Sequence, residues 1–372
     1  MKPAISSNGR ICQYRFQLSV RLIWINQSLG AVMSTAKLSP SQNHQLLVKQ
    51  TKPSMAFDPA QDFTTWQKKL RVQLKRLLGV MPTVRVPLKP KTLWEQEHEL
   101  GSIQKVCFAS EPGADVLAYV CLPKDIKPPY NFVICLQGHS TGMHNSIGVQ
   151  LDDETKPMKV EGDRDFAIGC MKRGYAALCI EQRAFGYRAE KCQTMRSNQT
   201  CHDAAMHALM LGRTLAGERV WDVDRGIDYL KERGDCVMSN IGILGNSGGG
   251  SITTLATATL PKRIAYAMPS CSTCTYAQSI MSIYHCADNY IPNMLNFAES
   301  GDVVGLIAPR PLVIVAGRTD DIFPLPGVRK AFKQVKAIYK AAGAEQNLKL
   351  VIGEGGHRFY AEPAWKALLK LV

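Results

Sequence analysis

With 372 residues, 45% of them hydrophobic and spread along the whole length, the chain can bury a large core and is not an intrinsically disordered protein. A formal net charge of +14 invites a nucleic-acid partner, yet no basic run is interleaved with aromatics and no nucleic-acid module is recognisable, so none is expected. No stretch approaches the roughly 20 apolar residues of a helical membrane span, so no membrane partner is expected either.

Part of the positive charge sits at the start, where Lys2, Arg10, Arg15 and Arg21 precede the first acid. The apolar run Leu22 to Ile25 is broken by Asn26, Gln27 and Ser28 before it reaches the length of a signal-peptide core. Met33 then precedes Ser34-Thr35-Ala36, which reads as a later start with residues 1–32 as an upstream extension. Residues 1–50 are therefore expected to form a poorly ordered N-terminal extension, and 51–372 a single domain. Twelve cysteines show no even framework, and Cys121, Cys135, Cys170 and Cys179 sit inside apolar runs as small buried hydrophobes. Free thiols in a reducing cytoplasm are the expectation, with secretion left open; Cys192 and Cys201 would pair only in an oxidising compartment.

Residues 37 to about 60 are polar and proline-punctuated. Phe63, Trp66, Leu70, Leu74, Leu77 and Leu78 then recur at helical spacing and predict an amphipathic helix ending at Gly79. The runs Ser102 to Ala109 and Val116 to Leu122, separated by Glu111-Pro112-Gly113-Ala114, predict a hairpin. From residue 132 the rhythm changes to short continuous apolar runs: Phe132 to Leu136, Ala176 to Ile180, Ile241 to Leu244, Ile264 to Met268, Leu312 to Ala316 and Leu348 to Ile352. Such runs suit strands buried on both faces. Between them lie helix-length segments, Ala204 to Leu215, Glu218 to Arg233, Ser251 to Thr259 and Val328 to Ala342. Strand and helix in alternation predict an α/β fold: a mostly parallel central sheet with helices on both faces, and the antiparallel hairpin at one edge.

The sharpest chemical signal is Gly245-Asn246-Ser247-Gly248-Gly249, placed between a buried strand and a helix. That is the context of a nucleophile elbow, where a serine on a strained turn projects its hydroxyl from the sheet and glycines two positions away avoid collisions. The amide of Gly248, at the start of the following helix, is a donor for an oxyanion. A phosphate-cradling loop is the competing reading; it lacks both the G-x-G-x-x-G order and a Walker lysine. An elbow requires an acid and then a histidine, each after a later strand. Asp320 and Asp321 follow the run at 312–316, and only one of them can face the histidine, leaving the other to cap the next turn. His357 stands on the glycine-rich loop after the last run. The loop Gln137 to Gly142 would supply the second oxyanion donor, from the amide of His139 or of Ser140, with His139 preferred. A zinc site can be drawn through Cys271, Cys274, His285 and Cys286, but the segment is not a compact knuckle, so no metal is expected.

With these parts in place, the sequence resembles the α/β-hydrolase superfamily, and within it the bacterial acetyl xylan esterase-like and dienelactone hydrolase-like branch. The resemblance rests on QGH at 137–139, LGRTLAGERVWDVDRGIDYL at 211–230, GNSGGG at 245–250, HCADNYIPNML at 285–295, IAPRPLVIVAGRTDDIFP at 307–324 and EGGHRF at 354–359. The family's acid motif matches the spacing from Gly317 through Asp320 to Pro324, which picks Asp320 over Asp321. The family usually has His where Gln137 stands. The resemblance implies hydrolysis of short-chain carboxylic esters, acetyl esters of carbohydrates among them, through an acyl-enzyme on Ser247 and with no cofactor. Segments 186–210 and 270–296 would shape the pockets, with Tyr276, Tyr284 and Tyr290 as lining. A serine peptidase or amidase is the nearest alternative, but such enzymes normally carry a propeller or other specificity domain, for which there is no room before the sheet. The partner expected is a small-molecule or carbohydrate ester; a homo-oligomer is compatible with the sequence.

Overall fold

The computed structural model describes residues 38–190 and 200–372. The chain divides into two compact units, residues 1–47 and 48–372. Residues 1–37 lie outside the described residues, but the rest of the extension expected to be poorly ordered contains a helix, α1 (Pro40–Gln50), none of whose residues is buried. Proline at its first position costs no hydrogen bond, and no breaker follows until Pro53.

In the second unit, Phe63–Leu77 is helical as its spacing predicts (α2). The Asp62 carboxylate accepts from the Thr65 amide at 2.7 Å and caps it, and Trp66, Leu70 and Leu74 form the buried stripe. Nine strands then make one sheet: β1 (Lys91–His98), β2 (Gly101–Glu111), β3 (Ala114–Pro123), β4 (Phe132–Leu136), β5 (Ala176–Ile180), β6 (Gly242–Asn246), β7 (Tyr266–Ser270), β8 (Leu312–Gly317) and β9 (Leu348–Gly353). Their spatial order is β1-β2-β3-β5-β4-β6-β7-β8-β9. The strands from β5 onward pair in parallel, while β1, β2 and β3 form an antiparallel meander joined to β5. The expected hairpin thus has a third strand beside it. Strand β1 escapes the sequence reading because all but two of its residues are exposed, so no apolar alternation marks it.

Alternation along the buried strands feeds two cores. Phe132, Ile134 and Leu136 of β4 point into one, with α2 and with α5 (Leu215–Arg233), α6 (Gly248–Thr259) and α9 (Leu325–Ala341). Val133 and Cys135 point into the other, with α3 (Phe166–Met171) and α10 (Ala361–Leu368). Helices thus cover both faces. The short helices α7 (Met294–Phe297) and α8 (Ser300–Gly305) precede β8. The helix expected over Ala204 to Leu215 is split: α4 (His202–Met210) ends before Gly212, which turns at φ +69°, and Thr214 then caps α5 by accepting from the Gly217 amide at 2.9 Å. Cys121, Cys135, Cys170 and Cys179 are buried free thiols, with Cys135 and Cys170 sulfurs 3.8 Å apart. Cys192, the first member of the possible pair with Cys201, lies outside the described residues. No helix among the described residues is long and apolar enough to cross a membrane.

Buried Asp222 of α5 ties the meander to the parallel half. Its carboxylate accepts from Ser110 Oγ of β2 at 2.5 Å, from Arg183 Nε and Nη2 at 2.9 Å, and from Arg188 Nη1 at 2.8 Å. Burial opposes its ionisation, but Arg188 and Arg183 outweigh that and hold its pKa down at about 2. Removing one partner of such a buried cluster strands the others, so Asp222→Ala should lower the unfolding free energy in urea by about 3 kcal/mol. A depressed carboxyl pKa stabilises the fold above the ordinary value of 3.8 and ceases to do so as pH falls toward 2. Across that interval the stability of Asp222→Asn should fall less steeply than that of the unaltered protein.

Candidate active site

All parallel strands end at the same edge of the sheet, where β6, β8 and β9 lead to Ser247, Asp320 and His357, and β4 leads to His139. Ser247 connects β6 to α6 at φ +56° and ψ −122°, outside the regions ordinary residues occupy. Such a backbone costs on the order of 1–3 kcal/mol and persists only where its surroundings enforce it. Here the enforcement is steric. A Cβ on Gly245 would come within 2.5 Å of the Gly249 carbonyl, and one on Gly249 within 2.1 Å of the Leu136 carbonyl oxygen. The turn is also pinned by hydrogen bonds from the Ser247 amide to the Ser270 carbonyl and from the Ser251 amide to the Ser247 carbonyl, both 2.9 Å.

Asp320 follows β8 and is buried. Its Oδ1 accepts from the amides of Ile322 and Phe323 at 2.9 and 3.0 Å, and its Oδ2 accepts from His357 Nδ1 at 2.9 Å. One carboxylate therefore performs both tasks divided in the sequence reading between two, and Asp321 is exposed instead of capping the turn. Burial opposes ionisation of Asp320, but His357 and the Phe323 amide more than compensate and keep its pKa below the ordinary value. With Nδ1–H committed to Asp320, His357 presents Nε2 as a proton acceptor. Phe323 stacks on the imidazole at 5.8 Å between centroids. The histidine loop is fastened to the serine turn from below. Ser270 Oγ donates to Asn246 Oδ1 at 2.9 Å, and Cys271 Sγ donates to the Arg358 carbonyl at 3.1 Å. Ser247 and His357 themselves share no hydrogen bond in this structure; contacts of this kind are commonly long before substrate binds.

The loop after β4 runs beside Ser247. A Cβ on Gly138 would lie 3.0 Å from Ser247 Cβ, and one on Gly248 would lie 2.9 Å from the His139 ring. Neither the Gly248 nor the His139 amide donates to an acceptor among the described residues. Gln137, where the resembled family usually has His, secures this loop, its side-chain amide donating to Ser146 Oγ at 2.9 Å and to the Arg164 carbonyl at 2.7 Å. Glu181, at the end of β5, clips it from the other side by accepting from the amides of Met143 at 3.0 Å and Tyr187 at 3.1 Å; burial pushes its pKa up to about 8.

Cys271 and Cys274 do not converge with His285 and Cys286 as a zinc knuckle would. Cys271 lies with Asp320 and His357, while Cys274 approaches the Pro324 carbonyl at 3.7 Å. The donor atoms of His139, Cys201 and Asp288 also lie within 4.8 Å of one another, but Arg219 already occupies that carboxylate. Of the three tyrosines expected to line the pocket, Tyr276 borders both a cavity beside α6 and a neighbouring one of about 210 Å³, Tyr290 borders only the latter, and Tyr284 is 82% exposed. Three residues at this site have a place that their sequence pattern does not indicate: His285 is weighed there only as a zinc ligand, and Asp288 and Arg219 have no role beyond the resemblance. His285 packs edge-on against Phe323, opposite His357. Asp288 and Arg219 meet beneath His139, across separations in the chain that no local pattern reveals.

A model of the Abhydrolase family matches residues 26–354. The chain belongs to that family of α/β hydrolases. It is 27% identical over 290 residues to YtaP of Bacillus subtilis (strain 168), named as a hydrolase, which spans 77% of this chain and 92% of that protein. Among solved structures, a Bacteroides fragilis protein named as an acetyl xylan esterase superposes with a TM-score of 0.73 at 19% identity, covering 86% of this chain and 82% of that one. A glucuronoyl esterase from Solibacter usitatus gives a TM-score of 0.59 at 16% identity, covering 86% of this chain and 96% of that one. These structures share the fold. Because Gly249 touches the Leu136 carbonyl, Gly249→Ala should destabilise the protein by about 1–3 kcal/mol, read as a lower thermal midpoint.

Proposed function

We propose that the protein is a carboxylic ester hydrolase that cleaves short-chain esters, acetyl esters of carbohydrates among them, through an acyl-enzyme on Ser247. The observation that carries this reading is the Asp320–His357 pair, placed with a strained serine at one edge of the sheet. His357 Nε2 takes the proton from Ser247 Oγ as the oxygen attacks the ester carbonyl, and Asp320 holds the imidazole's tautomer and stabilises the imidazolium. The Gly248 and His139 amides meet the oxyanion, and the positive end of α6 adds to their effect. The imidazolium returns its proton to the departing alcohol. Water, deprotonated by the same histidine, then cleaves the acyl-enzyme.

The substrate class draws its support from the names of structural relatives, an acetyl xylan esterase and a glucuronoyl esterase.

The test is a panel of p-nitrophenyl esters of increasing acyl length, run beside aminoacyl p-nitroanilides and acetylated sugars. Activity should be greatest on acetate and fall with acyl length, with anilides turned over far more slowly; a preference for anilides would make the protein a peptidase. Ser247→Ala should lose activity by at least about 10³-fold, and Asp320→Asn should lower kcat by about 10³–10⁴-fold, since the wrong imidazole tautomer then faces the serine. Full activity in Ser247→Ala would overturn the reading.

A further inference from the structure

A second histidine–carboxylate pair lies next to the proposed triad. His139 Nε2–H donates to Asp288 Oδ1 at 2.7 Å, and the Asp288 side chain is wholly buried. The other oxygen of Asp288 is held by Arg219 Nη1. Arg219, also buried, donates from Nε and Nη2 to the Arg183 carbonyl at 3.0 and 2.8 Å, and its guanidinium lies 4.0 Å from the Phe185 ring centre. Phe185 in turn packs edge-on against the His139 imidazole at 4.7 Å. The imidazole is therefore fixed at its nitrogen by Asp288, at its flank by Phe185, and on the remaining side by the backbone of Gly248.

A carboxylate buried this deeply survives only with strong partners. Burial opposes ionisation, but Arg219 and His139 together hold Asp288 well below the usual carboxylate range. Asp288 also borders the cavity beside α6 and lies 3.5 Å from Asn289 Nδ2, but it makes no hydrogen bond to the serine turn, and its direct link to the loop after β4 is the His139 imidazole. The amide of the same residue, His139, is one of the two proposed oxyanion donors, and its usefulness depends on pointing at the right place before the charge develops. A residue with a free side chain at the tip of a loop would hold that direction poorly.

We propose that Asp288, set by Arg219, is a positioning residue: it anchors the His139 imidazole and so fixes the His139 amide toward the oxygen bound at Ser247. The inference rests on the esterase reading and deepens it. It predicts an effect on the transition state with little on ground-state binding.

Steady-state kinetics on p-nitrophenyl acetate for His139→Ala, Asp288→Asn and the double variant test it, with fluorophosphonate labelling of Ser247 and thermal midpoints in parallel. Each single change should lower kcat by about ten-fold or more while KM stays within about two-fold. The double variant should be no slower than His139→Ala alone, because the proposed positioning runs through that side chain. His139→Gln, which keeps a donor for Asp288, should recover part of the kcat lost in His139→Ala. Should Asp288→Asn fail to fold, the comparison of His139→Ala with His139→Gln decides the matter. Wild-type kcat in His139→Ala, losses that multiply in the double variant, or a change confined to KM would overturn the proposal. Activity surviving Ser247→Ala would instead remove the esterase reading beneath it.

Discussion

Much of the molecule is organised around one close approach, that of the Gly249 backbone to the carbonyl of Leu136. It brings the start of α6 against the end of β4, and the chain between can then turn only through a serine in a strained conformation. The strain is local, but the restraint is global. Strands β4, β6 and β7 must be in register, and both cores must be packed, before Ser247 is forced outward. The packing that assembles the sheet is therefore also what exposes Ser247.

The polar groups at that sheet edge follow a common rule: each buried charge is matched by neighbours from different elements. Asp320 engages its own turn and the histidine loop, Asp288 engages a helix and the loop after β4, and Asp222 engages a strand and two arginines beyond β5. Such groups add little net stability compared with apolar packing, but they tolerate few alternative arrangements. Loops alone would leave Asp320, His357 and His139 mobile; these anchors transmit the rigidity of the sheet to them.

What could be read in the sequence was whatever had a local signature. Strands β4 and β5 announce themselves as unbroken apolar runs, and the runs Ile241 to Leu244 and Ile264 to Met268 mark β6 and β7 one or two residues early. Ser247 is framed by glycines, and Asp320 and His357 each follow a strand in a fixed order. The resemblance to a family chose Asp320 from two adjacent aspartates, and the packing gives the reason, since its neighbour faces solvent. Features with no local signature stayed hidden. Strand β1 is polar because it lies at the rim, and the break expected between Leu215 and Glu218 falls earlier, at Gly212 in a left-handed turn. The Arg219–Asp288–His139 chain joins three segments separated by 69 residues at one contact and 149 at the other, distances over which only the folded topology makes neighbours.

Strand β1 has a further meaning for how this molecule behaves in company. A sheet rim is a row of open backbone donors and acceptors, a template onto which another chain's strand could add. This rim carries Lys91, Glu95 and Glu97 exposed, and a register irregularity between Thr92 and Trp94 interrupts its regular ladder. Trp94 turns inward, donating to Glu154 at 3.0 Å and packing on Tyr119, so the one large aromatic of the strand is not offered to a neighbour. Charge and the irregular ladder thus both disfavour the addition of another strand at that rim, although Leu93 is exposed there.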